Sequence, residues 1–533
     1  MPEYLQDLVL RDGLIIDGTG APGFKGDVLI RNGIIADIER GGFAELPFEG
    51  TAHVDCSGKV VAPGFVDLHS HMDALAIAGD IRAFDSFTKQ GVTSFVGGNC
   101  GFSSFAYRAG GPHQKLISTG LFGGEEDIVG VRGYNYFTAK VEQNHIPHQV
   151  ISLAGHGTCR TSVIGHEPRV LTPGEQSEML AILDQAMEEG APGVSLGLQY
   201  KPGIFARYDE LKAVAERVKA RDKILTVHAR AYSCFSGTYP MNPFGRDHNL
   251  RAIDDMIQLA KDTGVKLQFS HLIFVGNRTW PNVEEAIKLF DNAIADGVDI
   301  MFDMFSYLCG ATTLSTFLPE WFVAKIPQSL DNRTDLLRLR LELLAGFALV
   351  GFGFDDMQVT HTECPEYEAY DGLFLPEIAR RTGKSEFQTV IDILKCSNAT
   401  ARVLNHSYYS QEIIERLMAH PAAIFATDAW SEAGGTKNPA AYSNFPRFLE
   451  LARDKNIISL EEAVHKMTGA AVARIPVGDR GILRQGMIAD VTVFDPNAIS
   501  TSSTLDKPDA EPTGLEQVYI GGKEILGQGD VFD

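Results

Sequence analysis

Eight apolar runs punctuate the middle of the chain: GFVDLHSH, TSFVGGNCG, HQVISLAGHG, PGVSLGLQY, ILTVHAR, KLQFSHL, DIMFDMF and AAIFATDA, between residues 64 and 429. Most are followed by a stretch of helical periodicity, such as EQSEMLAILDQAMEEG or NLRAIDDMIQLAKDTG. A strand that is apolar on both faces must be covered on both sides, and strand–helix alternation achieves this with a parallel sheet. Eight units fit a closed (β/α)8, TIM-like barrel better than an open sheet. The seventh and eighth runs stand too far apart for one loop, which places an inserted lid or subdomain around residues 310–400.

The two ends of the chain have a different texture. Residues 6–60 are short β-prone runs, and Asp12-Gly13 and Asn32-Gly33 between apolar stretches read as hairpin turns. The same texture returns in RGILRQGMIADVTVFDP and LEQVYIGGKEILGQG. The α/β barrel is therefore expected over residues 61–475, and a small β-sandwich domain from residues 1–60 plus 476–533. SLEEAVHKMTGAAVARI reads as the last barrel helix, with no evident partner for His465.

A net charge of -22 and the lack of a basic run exclude a phosphate-backbone partner. The opening MPEYLQDLVLRDG lacks a basic start and an apolar core, and no stretch approaches the roughly 18 apolar residues of a membrane span. Seven scattered cysteines do not form a disulfide framework. A cytoplasmic protein without nucleic-acid or membrane partners is the expectation.

The barrel runs end on a particular chemistry. The first finishes in His69 and His71, the second in Cys100, the third in His156, the fifth in His228, the sixth in His271 and the eighth in Asp428. C-terminal strand ends of such a barrel converge on one mouth. Imidazole, thiolate and carboxylate are the ligands of a borderline-soft ion such as zinc. A lone histidine or cysteine at a strand end is ordinarily structural. Packing does not explain so many at matching ends, because burying unpaired polar groups is costly.

The phrases APGFVDLHSHMD, GGNCGFS, GHGTCR, GVSLGLQYKPG, TVHAR, FSHL, FDMFSY and ATDA, spread over almost the whole chain, resemble the amidohydrolase superfamily and, within it, the N-acyl-D-amino-acid deacylase (D-aminoacylase) family. Many amidohydrolases bridge two metals with a carboxylated lysine on the fourth strand. That strand here has no lysine, Lys201 coming only after the turn. The resemblance implies that Cys100 replaces that lysine as ligand, that His228 and His271 complete a tight zinc site, and that His69 and His71 offer a second. It implies Asp428 as the catalytic acid/base, and Tyr200 and Tyr307 as pocket residues. The implied substrate is a small N-acyl amide, and a homo-oligomer is compatible with this. His156 reads as support for the third strand's loop, Cys159 as structural, and Arg160 as an ion-pair partner or a site residue.

One departure bears on specificity. Where the family pattern has an arginine associated with gripping a substrate carboxylate, KNPAAYSNFPRFL has Ala440. Either Lys437 or Arg230 takes over as substrate-binding cation, or the substrate has no carboxylate there. A different linear or cyclic amide therefore stays open as substrate, as does a barrel that binds without catalysis.

Overall fold

The computed structural model describes residues 7–44, 51–118, 133–240, 245–430, 435–505 and 507–527. Its centre is a ring of parallel strands: Phe65–Asp67, Val92–Gly97, Gln149–Ser152 continued by Ala154–Gly155, Gly193–Gly197, Ile224–His228, Lys266–Phe269, Ile300–Met304 and Ala423–Phe425. Every neighbouring pair is parallel. A parallel bridge between Ser70 and Ala429 joins the eighth strand to the first and closes the ring. The third strand hands over in mid-course, Gln149–Ser152 pairing with the second strand and Ala154–Gly155 with the fourth. Strands two, four and five are buried at every position, as expected of strands lying under helices.

The helices between them begin and stop on local signals. Helix Pro173–Glu188 starts with a Thr172/Glu175 capping box and proline in the first turn. Helix His248–Thr263 stops at Gly264, whose φ of 67° places it in the left-handed region where a side chain is disfavoured.

Strands from both chain ends build one sheet, in the order Lys523–Leu526, Leu515–Ile520, Val491–Phe494, Val60–Pro63, Leu8–Ile15, Phe24–Arg31, Ile34–Arg40, with Ala52–Asp55 also on Leu8–Ile15. Leu10, Val28, Val61, Val491, Val493 and Tyr519 share its core. His465 donates Nδ1–H to the Gly18 carbonyl at 2.8 Å, so the last barrel helices have a partner in the N-terminal segment. Asn32-Gly33 joins two antiparallel strands, both residues at positive φ. Asp12-Gly13 does not turn the chain. It forms a bulge inside Leu8–Ile15, because Asp12 N–H donates to buried Asp27 Oδ1 at 2.8 Å and a Cβ on Gly13 would strike Val61. Deleting the last 50 residues removes three strands and exposes apolar Val60–Pro63. Such a truncation is expected to partition into the insoluble fraction, measurable by sedimentation after lysis; a soluble, active product would show that the two ends fold independently.

Between the seventh and eighth strands lies a subdomain with its own antiparallel sheet, Gly310–Thr313, Arg402–Asn405 and Met357–His361, beneath helices Arg333–Val350, Leu375–Thr382 and Glu386–Cys396. Leu339, Met357, Ile378, Ile391 and Val403 form a core separate from that of the barrel. Cys364 and Cys396 are joined there as a disulfide, which corrects the sequence reading for two of the seven cysteines: chain folding brings together residues 32 positions apart. Among the described residues no helix is long and apolar enough to cross a membrane.

Candidate metal centre

His69, His71, Cys100 and Asp428 bring one ligand atom each to a common point, and Cys100, His228 and His271 do the same beside it. Cys100 Sγ belongs to both sets. It stands 3.4 Å from His69 Nε2 and 3.6 Å from His271 Nε2. Two ligands held about 2.0–2.3 Å from one tetrahedral zinc lie roughly 3.3–3.7 Å apart, so these spacings suit a shared ion.

The glycines around Cys100 explain how a short side chain reaches the centre. Gly98 and Gly101 have φ of 70° and 82°. A Cβ on Gly98 would strike the Leu153 carbonyl, one on Gly101 the Gly197 amide, and one on Gly197 the Cys100 carbonyl. The loop thus packs backbone to backbone against strands three and four, and the thiol needs no longer arm. Ser195 Oγ accepts from Gly101 N–H at 3.0 Å and holds this approach.

Three donor residues have left-handed backbones: Cys100 with φ 53°, His271 with φ 32° and Asp428 with φ 51°. Such conformations cost of order 1–3 kcal/mol each and persist only where surrounding contacts impose them. Asp428 N–H donates to the His69 carbonyl at 2.8 Å, and His271 N–H to Asp303 Oδ1 at 2.7 Å.

Hydrogen bonds on the outer nitrogens set the inner ones. His69 Nδ1 donates to Asp303 Oδ1 at 3.0 Å, which turns Nε2 toward Cys100 and Asp428. His228 Nε2 donates to Gln199 Oε1 at 2.9 Å, which leaves Nδ1 facing His271 Nε2, also at 2.9 Å. Asp303 and Gln199 were not singled out from sequence. Asp303 had a signal, as the charge inside the otherwise apolar core of DIMFDMF; Gln199 had none.

Burial lowers His69, His71 and His271, but the Asp303 and Asp428 carboxylates and the Cys100 thiolate outweigh it and raise all three, so the histidines carry the charge that balances these anions. Burial pushes the Cys100 thiol up, but His69 and then His228 pull it further down, leaving it well below its ordinary range. Burial raises the Asp428 carboxyl and His271, His69 and His71 outweigh it, so the group stays ionised. Burial depresses His228 to about 4 and keeps it neutral, the form that ligates metal. Among the described residues, no lysine or arginine lies within ion-pair distance of Asp303 or Asp428. Buried thiolate and carboxylate charge among histidines that become lone-pair donors on releasing their protons fits a bound divalent ion.

The remaining sequence candidates fall in different places. Tyr200 is buried with its ring 4.6 Å from His228 and its hydroxyl 3.3 Å from Thr312 Oγ1. Tyr307 bonds Ser443 Oγ at 2.5 Å and packs with Cys309 and Ala440, beneath the Arg447 guanidinium at 5.0 Å. Arg230 spends Nη1 and Nη2 on the carbonyls of Ile204 and Ala206, both at 2.8 Å, so these donors are taken by the loop after strand four. Lys437 is half-buried beside Thr436, which pairs with Thr360 of the inserted subdomain. His156 Nε2 and Arg160 Nε both meet Glu210 Oε1, at 2.8 and 3.0 Å, away from the donor sets. Cys159 Sγ donates to the Ala106 carbonyl.

Ala440 is 2% exposed, so an arginine does not simply fit there. Ala440→Arg is expected to destabilise the protein by about 1–3 kcal/mol through overpacking, with the Arg447 charge close by. A thermal melt reads this; an unchanged midpoint would show room for a guanidinium.

The chain is similar to known proteins over almost its whole length. The amidohydrolase family model matches residues 52–317. The chain is similar to the D-aminoacylase of Alcaligenes xylosoxydans xylosoxydans, 27% identical over 525 residues, covering 97% of this chain and 94% of the relative. It is 28% identical over 527 residues to the N-acyl-D-glutamate deacylase of the same organism, covering 98% and 94%. Among solved structures it is similar to the N-acyl-D-glutamate deacylase of Bordetella bronchiseptica, complexed with zinc and a phosphonate mimic of the tetrahedral intermediate. That similarity has a TM-score of 0.80 at 26% identity, over 99% of this chain and 98% of the other.

Proposed function

The chain belongs to the amidohydrolase family, and from that premise we propose that it is a zinc-dependent hydrolase of the amide bond in N-acyl-D-amino acids or related N-acyl compounds. The observation that carries this reading is the pair of buried donor sets joined through Cys100. Cys100, His228 and His271 would hold one ion, and His69, His71 and Asp428 with the same thiolate would offer a second. Zinc bound there would supply Lewis-acid polarisation of the carbonyl and lower the pKa of a water toward about 7.

The chain's own residues supply the rest. Asp428, ionised and 3.2 and 3.3 Å from His69 Nε2 and His71 Nε2, takes the proton of the attacking water and returns it to the departing nitrogen. Without that proton the nitrogen is a poor leaving group. Asp303 and Gln199 hold His69 and His228 in the tautomers that keep the inner nitrogens unprotonated. A cavity of about 270 Å³ with His228, Tyr232 and Tyr408 on one side and Phe317, Leu343 and Phe347 of the inserted subdomain on the other suits the uncharged part of an N-acyl substrate.

A second reading, an amide without the carboxylate, is favoured by Ala440, which supplies no guanidinium where the family arginine is expected, while the nearby Arg447 lies over the Tyr307 ring with Nε on the Ser306 carbonyl. The deciding measurement is a turnover screen of the zinc-loaded protein over N-acyl-D-amino acids, their L counterparts and carboxylate-free amides. Preferred cleavage of the D acids is expected. Preference for carboxylate-free amides would select the second reading, and no cleavage of any would refute both.

A further inference from the structure

The end of strand four borders both the donor cluster and a second, more polar cavity of about 370 Å³, lined among others by Phe102, Thr158, His166, Tyr200, Lys201 and Thr316. Three consecutive residues stand at this border, and Gln199 and Thr316 line both this cavity and the one that includes His228. Gln199 bonds His228, Tyr200 packs at a tilt against the same ring, and Lys201 lines the cavity. The cavity therefore begins a side chain away from the proposed metal ligands.

Lys201 has unusual company. Its side chain is half-buried, and among the described residues it makes no hydrogen bond and no ion pair. Burial pushes its ammonium down to about 8, so it still carries charge at neutral pH. The other basic group on the lining, His166, is held neutral by burial, at about 4. The carboxylate on the lining, Asp73, already accepts from Ser104 N–H, Ser104 Oγ and Ser152 Oγ. The hydroxyls on the lining are already engaged, Ser103 Oγ donating to the Phe105 carbonyl, Thr158 Oγ1 to the Ser103 carbonyl and Thr316 Oγ1 pairing with Thr312 and Thr313, and none of them meets Lys201. A half-buried ammonium without a counter-ion is costly, and an anionic ligand removes that cost.

We propose that Lys201 is a specificity-determining residue that binds a substrate carboxylate in this cavity while the scissile amide lies at the Cys100 centre. The inference rests on the deacylase reading and deepens it. The other candidate cations are placed differently, Arg230 on backbone carbonyls and Lys437 beside the inserted sheet. The carboxylate is either the α-carboxylate of the amino acid or one on its side chain. Both present the same chemistry to an ammonium.

Steady-state kinetics of zinc-loaded wild type, Lys201→Ala and Lys201→Arg on N-acetyl-D-methionine, N-acetyl-D-methioninamide, N-acetyl-D-glutamate and N-acetyl-D-glutamine test this. Lys201→Ala is expected to raise KM for a free acid by about tenfold or more, with kcat and zinc content little changed, and Lys201→Arg to recover most of it. Loss on methionine but not methioninamide identifies the α-carboxylate; loss on glutamate but not glutamine identifies the side chain. Equal effects on acids and amides, or none, would overturn the proposal. Calorimetric titration of the same proteins with D-methionine, D-methioninamide, D-glutamate and D-glutamine reads the subsite without turnover. A wild type that cleaves nothing yet loses acid binding in Lys201→Ala refutes the deacylase reading alone; acid binding indifferent to Lys201 refutes the subsite.

Discussion

Cys100→Ala is expected to lose tightly bound zinc and most activity together. Its Sγ is the atom common to both donor sets, so its removal leaves His228 and His271 as a two-ligand site, and the other set with His69, His71 and Asp428. Zinc sites ordinarily need three or four protein ligands. The thiolate also carries charge that offsets a divalent ion in a buried site, and alanine supplies none. Purified wild type should contain about one to two zinc ions per chain and the variant well below one, read by elemental analysis after dialysis against a weak chelator. Cys159→Ala is the control, a buried thiol that donates to the Ala106 carbonyl outside both sets, and should keep its metal. Retention of metal and activity by Cys100→Ala would make Cys100 a packing residue.

Asp428→Asn is expected to separate binding from chemistry. The amide keeps the shape of the carboxylate but cannot take up the proton of an attacking water, so turnover should fall by about two or more orders of magnitude. Cys100, His228 and His271 do not depend on Asp428, so tightly bound zinc should remain, while any ion on the His69–His71 side should weaken. Metal content, turnover and a thermal melt on one preparation distinguish the outcomes. Loss of all zinc would assign Asp428 a ligand role shared by both ions, and a large drop in melting temperature would assign it a structural one. Its N–H bond to the His69 carbonyl and its left-handed backbone remain available to asparagine, which tolerates that conformation.

The barrel was legible in the sequence because its signal is local and repeated. Runs such as TSFVGGNCG and ILTVHAR are apolar at successive positions, which a sheet covered on both faces requires, and the helical stretches between them have their own period. The donor residue types were legible for a related reason. A histidine, thiol or carboxylate at the end of a buried run has few inexpensive explanations, and equivalent strand ends of a closed barrel meet at one mouth.

Nothing local decided the rest. Whether Asp12-Gly13 turns the chain or bulges depends on Asp27 and Val61, which reach it only through the sheet. The Cys364–Cys396 bond, the tautomers set by Asp303 and Gln199, and the diversion of Arg230 to the Ile204 and Ala206 carbonyls each join residues distant in the chain. Residue type and periodicity are properties of one segment, and they suffice for strands, helices and the kinds of ligand at their ends. Which atom faces which, and which cation keeps its charge free, are pairwise quantities set by distance and burial after the chain has closed on itself.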